Sequence, residues 1–235
     1  MTQIHLAAFD AIQELSKTAL VSFQLCPTPL FAEIIKINHL RYRAAKYASR
    51  GLAVVRELVK EALETLERIR TFDPDLWAST KPRSQSDWAL MGHIYHVAAM
   101  MYWSSSLQSI SVLLSTTPSL PPPPVPCAVA QVPLLHSLLT RAVACPHLRH
   151  FTLWPLVVLG VQAAGEDGVG ARDFVAAELP ALARSGGTNA PLTAKRVLER
   201  FWASGETQWD ACFDRPYAFV MQIAVDTSRI GGDMR

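Results

Sequence analysis

The chain has 235 residues, of which 50% are hydrophobic and 18% are charged, and its formal net charge at pH 7 is +2. This apolar-rich composition excludes an intrinsically disordered chain, and the small net charge gives no argument for bulk binding to nucleic acid or to anionic membranes. The four cysteines, Cys26, Cys127, Cys145 and Cys212, show no paired spacing, which favours a reduced intracellular protein over a disulfide scaffold.

Helical periodicity dominates the first half of the chain. We expect a helical extension over residues 1–25, followed by a helical subdomain over residues 26–117. Apolar residues recur at helical spacing from Leu30 to Arg50 and, more regularly, from Leu52 to Ile69. Two four-residue charge pairs are expected on the outer face of the second of these helices: Lys60 with Glu64, and Glu64 with Arg68.

Two helix-start signals follow. Asp73-Pro74 predicts a capped helix with proline in its first turn, continuing through Trp77. Ser84 and Asp87 have the spacing of a capping box, in which the serine side chain accepts a hydrogen bond from a backbone N–H in the first turn.

The stretch from Trp88 to Leu114 contains no Asp, Glu, Lys or Arg and is long enough to span a bilayer. It also contains His93, His96 and a run of serines from Ser104 to Ser106 in its middle. These polar residues favour a buried core helix, so we predict no membrane contact.

A Pro-rich linker is predicted over residues 118–130, because five of the six residues from Pro121 to Pro126 are prolines that exclude a helix and favour polyproline. A linker is preferred to an SH3-type ligand. A second helical subdomain over residues 131–235 is expected to pack on the first, so that the chain forms one domain. Its predicted helices are Val132 to Arg141, Phe151 to Ala164, Ala171 to Arg184 and Leu192 to Ser204. The fold class predicted is therefore all-α, an irregular multi-helix domain of antiparallel helices with a polyproline linker.

The candidate metal-binding clusters in the sequence are incomplete. Cys145 to His150 offers one cysteine and two histidines, with Cys127 far upstream, whereas zinc sites bring four ligands together, usually as two close pairs. His93 and His96 share a helix face, but no carboxylate lies within that helix to complete a site, so buried or interfacial histidines are favoured. No nucleophile or phosphate-binding motif occurs, and we predict no catalytic, cofactor-binding or metal-binding residue.

A basic stripe and an aromatic cluster each allow two interpretations. The stripe, Lys36, His39, Arg43, Lys46 and Arg50, could contact DNA phosphates, but a solvated helix face is preferred because the interleaved aromatic residues of a nucleic-acid groove are missing. The candidates for DNA contact are Lys36, Arg43, Lys46 and Arg50. The aromatic cluster could line a ligand pocket, but core packing is preferred. Its members are Phe201, Trp202, Trp209, Phe213, Tyr217 and Phe219.

Several short segments of the chain together form a recognisable pattern. They are Cys26-Pro27-Thr28-Pro29-Leu30-Phe31, Ile37-Asn38-His39-Leu40-Arg41, Trp154-Pro155-Leu156 with Leu159-Gly160, Arg172-Asp173-Phe174, Phe201-Trp202 and Trp209-Asp210. In this order they resemble the fungal-specific transcription factor domain, the regulatory region of fungal binuclear-zinc-cluster transcription factors. The resemblance covers the chain from about Cys26 to Phe219.

The resemblance implies a nuclear, all-α transcriptional regulator whose domain controls activity and partner contact, and a secondary-metabolite gene cluster is among the implied targets. A homodimer or a zinc-cluster transcription factor is the implied partner, and a small-molecule effector is a further possibility. The DNA-reading module of the family needs six cysteines that bind two zinc ions, and this sequence has four cysteines and no Cys-x-x-Cys pair. We therefore expect no direct sequence-specific DNA reading by this chain, and zinc only if an upstream segment supplies it.

Three origins stay open at this point: an incomplete gene sequence, a shortened paralogue, or a regulator that acts through a partner. The alternative function is an all-α metabolic enzyme or a small-molecule-binding protein with a cryptic pocket. Because no residue in the sequence is assigned to catalysis, we predict that the chain is not an enzyme.

Overall fold

The structure, a computed structural model, describes residues 25–47, 52–81, 84–107, 129–165 and 168–213. These residues form ten α-helices and one 3-10 turn, with no strand among them, so the all-α prediction is confirmed. The chain divides into two compact units, residues 1–131 and 132–235. The predicted extension up to residue 24 and the polyproline segment 118–128 lie outside the described residues. The antiparallel arrangement stays a prediction.

The described part of the first unit contains four helices: α1 Thr28–Tyr47, α2 Leu52–Arg70, α3 Pro74–Ser79 and α4 Gln85–Ser106. Helix α1 packs against both α2 and α4, while the short α3 packs along α4. The unit ends with a 3-10 turn at Val129–Gln131 that touches α4.

The start of α1 follows from its two prolines. The carbonyl of Pro27 accepts the first helical hydrogen bond, from the N–H of Phe31 at 2.9 Å. Pro29 is tolerated because an N–H in the first turn has no intrahelical acceptor to lose. The helix then buries one apolar face, formed by Leu30, Ile34, Ile37 and Leu40.

The two predicted helix starts have different outcomes. Asp73 caps α3 as predicted, since its Oδ1 accepts from the N–H groups of Asp75 at 2.9 Å and Leu76 at 3.0 Å. The capping box before α4 is wrong. Ser84 adopts the left-handed conformation with φ 53°, and its side chain makes no capping hydrogen bond. The backbone at Ser84 turns the chain into the helix without help from its hydroxyl.

Helix α4 is the centre of the first unit and is buried around most of its circumference. Trp103 Nε1 donates to the carbonyl of Ala62 in α2 at 2.9 Å, which satisfies the buried indole. None of the helices in the described part of the chain is long and apolar enough to cross a membrane. The apolar stretch that begins at Trp88 is thus a core helix as far as it is described.

The second unit contains α5 Val132–Val143, α6 Pro146–Arg149, α7 Leu153–Gln162, α8 Val169–Gly186, α9 Ala190–Ser204 and α10 Trp209–Cys212. Helix α7 lies at its centre, buried over Trp154–Val161 and packed against α5, α8 and α9. The predicted helices of this half are confirmed, with ends shifted by about two residues, as helix boundaries usually are.

Gly160 lets α7 approach its neighbours closely. A Cβ atom at this position would lie 2.7 Å from Leu198 Cδ1 of α9 and 3.4 Å from Val175 Cγ1 of α8. The carbonyl of the same glycine accepts a hydrogen bond of 2.8 Å from Trp202 Nε1. Because the last carbonyls of a helix lack an intrahelical partner, the Trp202 indole caps the end of α7 from the neighbouring α9.

Candidate functional site

A cleft of about 460 Å³ opens in the first unit between the start of α1 and the end of α2. This volume lies within the range of small-molecule sites in proteins. Its walls combine apolar surface with two threonines, one carboxylate and two cations. The lining residues are Thr28, Pro29, Ala32, Glu33, Lys36, Arg68, Thr71 and Phe72.

Glu33 lies at the centre of the polar part of the cleft. Its Oε1 accepts from Lys36 Nζ at 2.8 Å and from Arg68 Nε at 3.0 Å, so one carboxylate oxygen binds both cations. Arg68 also donates from Nη2 to Thr65 Oγ1 at 3.2 Å. Lys36 and Arg68 keep side-chain exposures of 41% and 44%, whereas the Glu33 side chain is 7% exposed. The accessible charge of the cleft is therefore positive.

The other carboxylate oxygen of Glu33, Oε2, is buried and has no hydrogen-bond partner. Sequence reasoning assigned Arg68 to Glu64 in its own helix, whereas in the structure Arg68 binds Glu33 of α1. The available signal was an acidic residue beside the apolar face of α1, next to Ala32 and Ile34, both buried. A carboxylate in that position needs partners from another helix.

The basic stripe of α1 is partly neutralised. Lys36 pairs with Glu33, and Arg43 Nη1 donates to both carboxylate oxygens of Glu61 at 2.7 and 2.6 Å. Lys46 lies in α1, but its side chain, like Arg50, lies outside the described residues. The structure does not test whether the stripe meets DNA.

His93 and His96 have separate surroundings. His93 Nε2 lies 3.2 Å from Asp75 Oδ1 of α3, so a carboxylate that the sequence could not place beside it comes from the preceding helix. His96 packs its ring edge-on against Phe72, with the ring centres 6.0 Å apart. Burial lowers the pKa of His96 below its ordinary value, with a smaller opposing effect from a hydrogen bond to the backbone of Ile69.

Two of the described cysteines, Cys26 and Cys212, are buried. No group of three or more His, Cys, Asp or Glu side chains is placed to hold a metal ion among the residues that the structure describes. Burial raises the pKa of the Cys26 thiol, and it raises the pKa of Cys212 to about 12 against the opposing charge of Arg200. Zinc binds the thiolate, which these environments disfavour.

The C-terminal aromatic residues form a packed core in the described part of the cluster. Phe201 and Trp209 are buried, and the rings of Trp209 and Phe213 lie 5.1 Å apart. Trp202 contributes its hydrogen bond to α7. Tyr217 and Phe219 lie outside the described residues. The preferred interpretation of core packing is confirmed for Phe201 and Trp209.

The N-terminal motif also joins helices. Tyr102 of α4 donates its hydroxyl hydrogen to Asn38 Oδ1, and Arg41 Nη1 donates to the same hydroxyl oxygen at 3.2 Å. Asn38 and Arg41 belong to the segment Ile37–Arg41, one of those that carry the family resemblance. Residues of these segments thus form hydrogen bonds between helices, within the first unit and within the second.

Comparison with known proteins gives the same answer as these segments. The family model of the fungal specific transcription factor domain matches residues 6–219. The chain belongs to this family. The described part of this domain is helical, and the chain divides into two compact units.

A curated relative is 44% identical over 228 residues, a phomenoic acid biosynthesis cluster-specific transcriptional regulator from Leptosphaeria maculans. The match covers 96% of this chain and 42% of the relative, so the chain spans less than half of that protein's length. No solved structure matches the chain. The family and this relative point to a regulator rather than to an enzyme.

Proposed function

We propose that this chain is the regulatory domain of a nuclear transcriptional regulator that controls a biosynthesis gene cluster. The observation that carries the proposal is the similarity to a cluster-specific regulator along 96% of the chain, at 44% identity. The family match over residues 6–219 supports the same function. The relative's own name provides the link to a biosynthesis cluster.

DNA reading is assigned in this proposal to a zinc cluster, carried on the same polypeptide or on a protein partner. Arg43, one of the candidates for DNA contact, already binds both carboxylate oxygens of Glu61 in its own unit, which leaves it less charge to offer a phosphate. A second copy of the chain or a zinc-cluster transcription factor is the proposed partner.

A reporter assay tests the proposal. The chain is fused to a heterologous DNA-binding domain in a fungal host, and transcription from a promoter with matching sites is compared with that of the DNA-binding domain alone. We expect the fusion to change transcription and to accumulate in the nucleus. A fusion carrying Leu179→Asp, which places a charge in the core of the second unit, is the unfolded control. Transcription equal to that of the bare DNA-binding domain, with the intact fusion present in the nucleus, would contradict the proposal.

Substitutions in the basic stripe separate DNA contact from regulation. Arg43→Gln removes one member of the stripe, and Arg56→Gln removes an exposed arginine of the neighbouring helix as a matched control. We expect equal promoter occupancy for the two variants in chromatin immunoprecipitation. Selective loss of occupancy in Arg43→Gln would instead assign phosphate contact to the stripe.

A further inference from the structure

The cleft between α1 and α2 contains a polar arrangement that helix packing alone does not require. Lys36 and Arg68 reach the same oxygen of Glu33 from two different helices, at 2.8 and 3.0 Å. An ion pair that served only to join α1 to α2 would need one cation. The second cation leaves the group with a net charge of +1 at the mouth of the cleft.

The two cations are available to a ligand. Both side chains are more than two-fifths exposed, and the ammonium group of Lys36 has three N–H donors of which the recorded bond to Glu33 uses one. The helix ends do not change the sign of the site, because the positive end of α1 and the negative end of α2 meet here and offset each other. The side chains therefore set the field, and they favour an anion.

Glu33 adds a second requirement. The residue is 5% exposed, and its Oε2 has no donor within reach. A buried carboxylate oxygen without a hydrogen bond is uncommon, and it costs stability unless something supplies a donor. Glu33 lines the cleft, and Lys36 binds it through a flexible four-carbon stem, so movement of Lys36 toward an incoming anion would bring Oε2 within reach of a ligand. A ligand hydroxyl would then satisfy it.

The remaining wall is apolar. Pro29, Ala32 and the ring of Phe72 line the cleft beside the charged group. Such a surface suits a hydrocarbon body that runs away from the polar end of a ligand. Two cations, a carboxylate oxygen without a donor and an apolar wall together favour an amphipathic ligand.

We propose that this cleft binds a hydroxylated organic acid. Its carboxylate takes charge-assisted hydrogen bonds from Lys36 and Arg68, its hydroxyl donates to Glu33 Oε2, and its hydrocarbon chain lies against Phe72. The inference deepens the proposed regulatory function and rests on it for biological meaning, since such an acid would act as the effector of the domain. The binding itself does not depend on transcription.

Isothermal titration calorimetry on the purified 235-residue chain tests the site, with 3-hydroxydecanoate as the probe below its micelle concentration. Decanoate lacks the hydroxyl, and methyl 3-hydroxydecanoate lacks the charge. Arg68→Gln removes a proposed ligand contact. Arg70→Gln is the matched control, because Arg70 lies in the same helix with a similar exposure of 46% and pairs with Glu67 outside the cleft.

We expect saturable binding of 3-hydroxydecanoate and weaker binding of both analogues. Arg68→Gln should weaken binding about tenfold or more, the usual loss for a charge-assisted hydrogen bond, while Arg70→Gln should stay within about twofold of the wild type. Lys36→Gln gives an independent reading if circular dichroism shows that Arg68→Gln is not folded.

Absence of saturable binding by the folded chain, or equal affinity of Arg68→Gln and Arg70→Gln, would overturn the proposal. Equal binding of decanoate would overturn the role given to Glu33. The reporter assay is separate from this test, so a silent reporter with intact binding rejects the regulatory function, and an active reporter without binding rejects the ligand site.

Discussion

The hydrogen bond from Trp202 to Gly160 predicts a specific loss of stability. In Trp202→Phe the indole N–H that caps the end of α7 is removed, and the Gly160 carbonyl loses its donor at 2.8 Å. Leaving a buried acceptor without a partner costs about 1–3 kcal/mol. Trp202 is half-buried, so water reaches the site in part and the lower half of this range applies.

The smaller ring adds a second contribution. Phenylalanine buries less apolar area than tryptophan, worth about 0.5 kcal/mol for a half-buried side chain at about 25 cal/mol per Å². The two contributions sum to about 2 kcal/mol, which lowers the Tm by about 4–8 °C for a protein of this size. Differential scanning calorimetry measures the Tm, and urea unfolding measures the free energy of unfolding.

Trp88→Phe is the matched control. Trp88 is also half-buried, and its recorded contacts are made by its ring, which lies 5.5 Å from that of Trp77. Phenylalanine keeps a ring there, so we expect a loss of about 0.5 kcal/mol, the ring-size contribution alone. Equal losses in the two variants would refute the reasoning, because the hydrogen bond would then contribute nothing beyond ring size.

Three further changes have expected outcomes. In urea unfolding, Gly160→Ala should lower the free energy of unfolding by about 1 kcal/mol, because overpacking against Leu198 costs about 1–3 kcal/mol and alanine gains about 1 kcal/mol in helix propensity. Gly170→Ala is the control: its new methyl group meets open space, so it should be neutral or stabilising. Asp73→Ala should cost about 1 kcal/mol through loss of the α3 cap in thermal unfolding, and Asp73→Asn should retain most of it; equal losses would contradict a capping role. The free energy of unfolding of the wild type should fall as the pH drops below the ordinary histidine pKa of 6.5. Burial lowers the pKa of His96, so the folded state then binds fewer protons than the unfolded state. A His96→Gln variant whose stability has the same pH slope would contradict this cause.

The helical content was predictable because it is written in local periodicity. The second predicted helix, Leu52 to Ile69, differs from α2 by one residue, and the positions Val59, Ala62 and Leu66 that the spacing indicated are buried. The Asp73 cap was predictable for the same reason, since donor and acceptor lie within three residues. Such features depend on the chain's immediate neighbours alone.

Contacts between helices were not predictable in this way. Arg68 binds Glu33 rather than Glu64 because the packing of α1 on α2 brings a buried carboxylate within reach, and a buried charge gains more from a partner than an exposed one does. Ser84 fails as a capping residue because its left-handed backbone directs the chain differently. The cleft is formed by residues of two packed helices, so it was not predictable from the sequence.

The central claim is that this family member regulates a biosynthesis gene cluster. Its most direct test is RNA sequencing of the encoding fungus after deletion and after overexpression of the gene. We expect the transcripts of one contiguous block of biosynthetic genes to change together, in opposite directions in the two strains. Unchanged transcripts across every such block, in an overexpressing strain that accumulates the protein, would contradict the account.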